Sequence, residues 1–151
     1  MLNETLNEIY NKFRINFYMK VFSKFENREA TLTTVEAFSM ECIMALKGPT
    51  IAEFAKMMNI SAPNAAYRVN SLLQKGYIIK EQSKVDQREY HLYPSERYMN
   101  YYKISRSFLD TVSQRCKERF SEEDYEKLSE LLKIMNEELM PELDLEKFKT
   151  H

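Results

Sequence analysis

The sequence predicts a mostly helical protein with one small β-hairpin, and three observations carry this prediction. Segments with apolar residues at a spacing of three or four occupy most of the 151 residues. The two glycines of the chain, Gly48 and Gly76, each follow such a segment, where helices commonly end in left-handed backbone. Two β-prone runs, 77–82 and 88–93, come after the second glycine.

The segment SAPNAAYRVNSLLQKG, residues 61–76, is predicted to be a helix with both ends specified. Ser61 is a good N-cap, Pro63 lies in the first turn where its missing N–H costs nothing, and Gly76 provides the stop. Apolar residues recur at i, i+4, i+7 and i+8 and form one stripe for the core. They are Ala65, Val69, Leu72 and Leu73.

The other face of this helix is polar, with side chains short or planar enough to approach base edges. These are Pro63, Asn64, Tyr67, Asn70, Ser71 and Gln74. Arg68 and Lys75 flank the face and are suited to phosphate contacts. The pattern is typical of a DNA recognition helix.

A second short helix is predicted just before it, over Thr50 to Met58. Thr50 as N-cap and Glu53 at the third helical position form a capping box. Only two residues then precede Ser61, and one of them, Asn59, tolerates the left-handed geometry of a tight turn. Two helices joined in this way predict a helix-turn-helix.

Residues 83–87, SKVDQ, join the two β-prone runs, which predicts a hairpin with a charged tip and hence a winged helix. The pattern over 32–95 resembles the MarR family of bacterial transcription regulators in the order and chemistry of five pieces. They are LTTVEAFSMECIMAL, GPTIAEFAKMMNIS, the recognition helix, the KGYI that follows it, and VDQREYHL, which is similar to that family's Asp-x-Arg wing signature.

The resemblance implies that the recognition helix enters the major groove of DNA. It also implies that Arg88 in the wing reaches the minor groove or its phosphates, while Asp86 orients the wing tip. The candidate DNA-binding residues are Ser61, Pro63, Asn64, Tyr67, Arg68, Asn70, Ser71, Lys75, Lys84, Asp86 and Arg88.

The region before the helix-turn-helix is predicted to be helical as well. Apolar residues recur every three or four positions from Leu2 to Phe25, and residues 26–31 are predicted to be a linker. Thr33 and Glu36 then form another capping box. Its helix is predicted to end at Gly48, with a core face of Val35, Phe38, Cys42, Ile43 and Leu46.

After the wing, Ser95 is predicted to cap a helix that runs to about Arg119, and Ser121 to cap a last helix that Pro141 stops. The last helix has a seam with heptad-like spacing, formed by Tyr125, Leu128, Leu132, Met135 and Leu139. A winged helix is too small to bury the stripes of both terminal helices. A homodimer is therefore predicted, as the resemblance also implies.

These elements predict three segments: an N-terminal dimerisation helix (1–30), a winged helix-turn-helix lobe (31–95), and a connecting helix with a C-terminal dimerisation helix (96–151). Charge is uneven among them. Residues 61–120 carry eleven Lys or Arg against six Asp or Glu, whereas residues 121–151 carry four against ten. The acidic end therefore masks a basic middle, so the net charge of −1 is no strong objection to DNA binding.

The sequence offers little chemistry for catalysis. With two histidines, His91 and His151, it has no His-rich metal site or Ser-His-Asp triad, and it carries no P-loop or dinucleotide motif. We expect no enzymatic activity, no cofactor and no metal. Cys42 and Cys116 lie on apolar stripes, where a thiol is more often core than redox sensor. Two cysteines, no signal peptide and no apolar run near 18 residues predict a cytoplasmic protein with no membrane contact.

Two questions of function stay open. The resemblance implies a pocket for a small apolar or aromatic effector, for which the candidate ligand-binding residues are Phe13, Phe17, Phe38, Met40, Tyr101, Tyr102 and Phe108. Aromatic and Met stripes are more often core. The alternative to a DNA-binding regulator is a winged-helix module that binds a protein partner. The slightly acidic chain, Tyr67, and a recognition helix with Arg68 as its one Arg favour that alternative.

Overall fold

The computed structural model describes residues 1–24 and 32–149. Within these residues the chain forms six α-helices, a two-stranded antiparallel hairpin and two 3₁₀ turns. The elements are α1 (Leu2–Lys24), α2 (Thr34–Leu46), α3 (Ile51–Met58), α4 (Ala62–Gln74), β1 (Ile78–Gln82), β2 (Tyr90–Pro94), α5 (Glu96–Arg119), α6 (Glu122–Glu138) and the turns Pro141–Leu143 and Leu145–Phe148. The predicted end of the first helix at Phe25 and the predicted linker 26–31 lie outside the described residues.

The predicted fold class, mostly α with a small β-hairpin wing, is confirmed. The chain divides into two compact units. The helical unit is Met1–Ala30 with Tyr101–Asp144, and the winged-helix unit is Thr31–Asn100 with Leu145–His151. The division into 1–30, 31–95 and 96–151 stays a prediction. No helix among the described residues is long and apolar enough to cross a bilayer.

Two capping boxes begin the helices that precede α4, and both were predicted. At α2, the Thr33 hydroxyl accepts from the Glu36 N–H (3.2 Å) and the Glu36 Oε1 accepts from the Thr33 N–H (3.0 Å). At α3, Thr50 and Glu53 make the same pair of bonds at 3.2 and 2.8 Å. Each box satisfies two backbone donors that a helix start would otherwise leave unpaired.

The turn between α3 and α4 and both ends of α4 also form as predicted. Asn59 adopts left-handed backbone (φ 55°, ψ 50°), and the Ser61 hydroxyl caps α4 by accepting from the Asn64 N–H at 3.3 Å. Gly76 (φ 77°) ends α4 with the two hydrogen bonds of a Schellman motif, from the Gly76 and Tyr77 N–H groups to carbonyls of the last helical turn. Local sequence therefore specifies the helix-turn-helix.

The hairpin pairs Ile78 with Pro94 and Gln82 with Tyr90. The second strand begins at Tyr90, whereas the sequence predicted a start at Arg88. The reason is a turn across the wing tip, in which the Glu89 N–H donates to the Asp86 carbonyl at 3.0 Å and keeps 86–88 out of the ladder.

The core of the winged-helix unit is built by α2, α3, α4 and β2. Its fully buried side chains include Met40, Ile43, Phe54, Val69, Leu72, Leu92 and Tyr98. The predicted core face of α2 is wrong at two positions, because Val35 and Phe38 are 44% and 51% exposed. Glu36 and Ser39 take the buried side instead. Ser39 donates to the Val35 carbonyl at 2.8 Å. Glu36 accepts from the Thr33 N–H with its Oε1, and its Oε2 lies 2.6 Å from the Lys75 Nζ. These partners allow polar residues on this face.

In the helical unit, α1 and α5 pack through aromatic rings. Phe13 meets Phe108 edge to face at 5.4 Å between ring centroids, and Phe17 meets Tyr101 at 5.7 Å. The seam of α6 is open by contrast. None of the residues 122–138 is buried, and the exposed apolar side chains on and beside the seam include Leu128, Leu131, Leu132, Ile134 and Leu139.

The two glycines offer a paired test of packing. Both have φ near +80°, so alanine at either position incurs the left-handed penalty of roughly 1 to 2 kcal/mol. A Cβ on Gly48 also lies 2.6 Å from the ring of Tyr93, whereas the nearest atom to a Cβ on Gly76 is 4.0 Å away on Arg97. We predict that Gly48→Ala lowers the free energy of unfolding by about 1 to 3 kcal/mol more than Gly76→Ala does, because this is the typical cost of overpacking.

Urea unfolding of both variants measures the difference. Combining each glycine change with Tyr93→Ala supplies the control, because only the extra cost of Gly48→Ala depends on that ring. Equal costs for the two glycine variants would contradict the prediction.

Candidate nucleic-acid interface

The N-terminal part of α4 presents the predicted reading face to solvent. Ser61, Pro63, Asn64, Tyr67 and Asn70 are all exposed, and Tyr67 is 76% exposed although it is a large aromatic residue. An exposed aromatic ring on a helix that buries its opposite stripe has no packing role in the single chain. The face carries amide, hydroxyl and phenol groups that can donate to and accept from base edges.

Arg68 of α4 and Lys75, the C-cap residue of α4, lie on one flank of this face. At about 100° per residue, Arg68 and Lys75 fall roughly 100° and 80° around the helix from Tyr67. Arg68 and Ser71 are half-buried and line a cleft of about 220 Å³ between α4 and the start of α2. The Nζ of Lys75 lies 2.6 Å from the Oε2 of Glu36. Lys75, predicted as a phosphate contact, is therefore already ion-paired within the chain.

The wing tip is ordered by Asp86. Its carboxylate accepts from the backbone N–H of Arg88 at 3.0 Å and from the guanidinium at 3.2 and 3.4 Å. These hydrogen bonds hold the pKa of Asp86 below its usual range. Arg88 remains 91% exposed, and Lys84 is exposed beside it. The tip thus presents two cations to solvent, one of them aimed by a neighbouring carboxylate.

Side-chain hydrogen bonds help tie the wing and the start of α5 to the helix-turn-helix. The Ser95 hydroxyl donates to the Gly76 carbonyl at 2.6 Å, and Arg97 donates to the Lys75 carbonyl at 2.8 Å. On the other side, His91 Nδ1 lies 2.8 Å from the Gly48 carbonyl oxygen. Sequence reasoning identified Ser95 only as a helix cap and gave no structural role to Arg97. No local signal could have found these contacts, because each joins residues distant in the chain.

The candidate effector residues fall into two sets. In the helical unit, Phe13, Phe17, Tyr101, Tyr102 and Phe108 are all half-buried. The structure brings Phe13 to Phe108 and Phe17 to Tyr101. In the winged-helix unit, Met40 is fully buried and Phe38 is half exposed. Their assignment to a ligand pocket stays a prediction.

The cysteines have the environments expected of packed thiols more than of sensors. Cys42 is buried with its Sγ 3.5 Å from the Met58 Sδ, and Cys116 is half-buried. Burial, with a smaller contribution from the charge of Glu41, raises the pKa of Cys42 to about 11, so its reactive thiolate is scarce at neutral pH. Among residues 1–24 and 32–149, no group of three or more His, Cys, Asp or Glu side chains is arranged to hold a metal.

Comparison with known proteins agrees with this architecture. Residues 32–90 match the model of the MarR family. No curated protein is significantly similar to the chain in sequence. FabT of Streptococcus pneumoniae in complex with DNA is similar in structure, with 20% identity, a TM-score of 0.60, and coverage of 91% of this chain and 94% of that one.

Two further solved structures show the same fold. A MarR-like transcriptional regulator from Thermotoga maritima has 23% identity and a TM-score of 0.61, covering 91% of this chain and 94% of its own. S. aureus MepR bound to ethidium bromide has 18% identity and a TM-score of 0.61, covering 93% and 97%. At these identities the likeness establishes the fold alone.

The wing geometry predicts a pH titration. In Arg88→Ala the guanidinium hydrogen bonds to Asp86 are lost and only the backbone N–H remains, so we predict that the Asp86 pKa rises toward its ordinary value. The carboxyl carbon shift of Asp86, followed by NMR from pH 2 to 6, measures this. Lys84→Ala is the control, because it removes the same charge from the wing without touching those bonds. An equal rise in both variants would show that general charge, not the Asp86–Arg88 contact, lowers the pKa.

Proposed function

We propose that this protein, whose residues 32–90 match the model of the MarR family, is a DNA-binding transcriptional regulator. The observation that carries the proposal is the exposed, uncharged face of α4 beside a wing whose cation Asp86 orients. A reading face and a phosphate-binding arm are the two parts that sequence-specific DNA binding requires. Because a bacterial transcriptional regulator binds chromosomal DNA, we also propose that the protein is cytoplasmic.

In the proposed complex α4 enters the major groove and the wing follows the adjacent backbone or minor groove. Asn64 lies in the first turns of α4, the part of a recognition helix that contacts base edges, and asparagine can pair bidentately with adenine. Arg88 and Lys84 at the wing tip are suited to phosphates or a narrow minor groove. The similarity of fold to the DNA complex of S. pneumoniae FabT supports this arrangement.

We further propose that the protein binds as a homodimer to an inverted repeat. The apolar side chains left exposed on α1 and α6 support a second copy as their partner, since surfaces of this kind usually mark an interface. A two-fold dimer presents its recognition helices roughly 34 to 36 Å apart, which is one turn of DNA. Each recognition helix then reads one half-site.

A small apolar or aromatic effector is the proposed regulator of binding. The aromatic cluster of the helical unit, Phe13 with Phe108 and Phe17 with Tyr101, supplies ring faces that suit such a ligand. The similarity of fold to S. aureus MepR bound to ethidium bromide supports an aromatic ligand class.

One observation favours the alternative, a module that binds a protein partner. Tyr67 is 76% exposed at the centre of the reading face, and tyrosine is enriched where proteins meet. Selection from random duplex DNA with the purified protein separates the two. Enrichment of an inverted repeat supports the regulator, whereas no enrichment at low salt supports the protein-binding module.

The first prediction from this proposal separates the wing from the reading face. Arg88→Ala removes an exposed cation, so we expect it to weaken binding to cognate and random DNA alike and to shallow the salt dependence by about one unit of log-log slope. Asn64→Ala removes a base contact, so we expect a loss of about 1 to 3 kcal/mol on the cognate site and little on random DNA.

Fluorescence anisotropy of both variants on both DNAs at several salt concentrations measures these effects. Asn100→Ala changes an exposed asparagine on α5, outside the reading face, the wing and the proposed dimer surfaces, and it is the control for protein preparation and folding. An unchanged salt slope in Arg88→Ala would remove the wing from the interface. Equal weakening of both DNAs by Asn64→Ala would move the reading face elsewhere on α4.

A second prediction tests the dimer seam. Leu132 is 47% exposed in the single chain, and Leu132→Asp would bury a charge if a second copy covers it. We expect loss of the dimer and of tight DNA binding together, with the winged-helix unit still folded. Sedimentation velocity and DNA titration measure the two losses.

Lys133→Asp is the matched control, because it places the same side chain on α6 about 100° around the helix from Leu132 and from Ile134, outside the arc of exposed apolar side chains. It should leave the dimer intact. A stable wild-type monomer at micromolar concentration, or an unaffected dimer in Leu132→Asp, would rule out α6 as the dimer interface.

A further inference from the structure

The Glu36 carboxylate contacts two groups, one with each of its oxygens. It is 8% exposed, and its Oε1 accepts from the Thr33 N–H at the start of α2. Its Oε2 lies 2.6 Å from the Nζ of Lys75 at the end of α4. One buried carboxylate therefore caps one helix and anchors the C-terminal end of the recognition helix.

The ion pair with Glu36 engages Lys75, a cation that could otherwise contact DNA phosphates. Lys75 is 47% exposed, so its amine lies at the surface and within the flank where a phosphate would approach. The only other cation of α4, Arg68, has its Nε buried in the same cleft. The face of α4 around Tyr67 carries uncharged side chains, with half-buried Arg68 and ion-paired Lys75 on its flank.

Phosphate is a poor competitor for Lys75. Burial alone would raise the pKa of Glu36, but the hydrogen bonds from Lys75 and from Thr33 outweigh burial and hold that pKa below its ordinary value. The carboxylate is therefore ionised at neutral pH. Moving Lys75 to a phosphate would leave the buried Glu36 carboxylate without its cation, which opposes the exchange.

We propose that Glu36 is a positioning residue of the DNA interface that holds Lys75 away from the DNA phosphates and so lowers the sequence-independent affinity of the recognition helix. The proposal rests on the proposed DNA-binding function. Since a phosphate contact carries no sequence information, Glu36 lowers affinity for cognate and random DNA by the same factor. The sequence information of α4 stays with its uncharged side chains.

The experiment compares binding of wild type, Glu36→Gln, Lys75→Ala and the double variant to a random duplex between 50 and 200 mM salt. Gln at this position keeps the acceptor for the Thr33 N–H, as capping boxes allow, and removes only the charge. We expect Glu36→Gln to bind more tightly at low salt. The slope of its log affinity against log salt concentration should be steeper than that of wild type by about 0.9 per subunit. Across this fourfold salt range its affinity should then fall about 3.5-fold more than that of wild type for each bound subunit, or about 12-fold more for a homodimer.

Lys75→Ala should leave the slope of wild type unchanged, because its amine does not reach DNA. The double variant should return to the wild-type slope, which assigns the gain in Glu36→Gln to Lys75. Glu53→Gln is the matched control, since it removes one charge from the second capping box, which has the same threonine bonds. It should not steepen the slope.

The outcomes divide clearly. A shallower slope in Lys75→Ala shows that Lys75 already binds phosphate, and it overturns the proposal even if Glu36→Gln fails to fold. An unchanged slope in a folded Glu36→Gln, or equal steepening in Glu53→Gln, overturns it while the DNA-binding function stands. If the wild type binds neither selected nor random DNA at low salt, the proposed function fails and this inference fails with it.

Discussion

The hydrogen bond from the Ser95 hydroxyl to the Gly76 carbonyl is the contact on which the candidate interface depends. Gly76 ends α4 in left-handed backbone and turns the chain into β1, while Ser95 follows β2 and also accepts from the Tyr98 N–H to begin α5. One hydroxyl therefore fixes the end of the recognition helix, the base of the wing and the start of the long helix. With the Arg97 bond to the Lys75 carbonyl beside it, the reading face and the wing keep one relative orientation.

The charges of this lobe are distributed by burial as much as by composition. The recognition helix is less basic than the middle of the sequence suggests, because Glu36 pairs with Lys75 and Arg68 is half-buried. Exposed cations lie on the wing instead, where Asp86 orients one of them. The side chains suited to base edges thus lie on α4, and the exposed cations suited to phosphates lie at the hairpin tip. This separation allows one to be altered without the other.

Local chemistry made most of the winged-helix elements predictable. Both capping boxes, the left-handed Asn59 and the glycine after α4 are hydrogen-bonding patterns complete within about six residues, so the sequence alone contains them. The errors came where two local signals competed. Apolar spacing assigned Val35 and Phe38 to the core of α2, but Glu36 of the capping box occupies the buried side of that helix and they are exposed. In the wing, the turn at Asp86 displaced the start of β2 by two residues.

The sequence by itself determined the order, type and ends of the helices and the polarity of the recognition face, because capping bonds and helical periodicity act between near neighbours in the chain. The tertiary structure alone decided which polar groups of that face are available. From the sequence, Lys75 is expected to be an ordinary surface cation. It is ion-paired because the fold places the buried Glu36 carboxylate of α2 beside it, although the two residues are far apart in the chain. Periodicity shows which side of a helix a residue occupies, but the charge it can offer to DNA depends on what the neighbouring helix places against it.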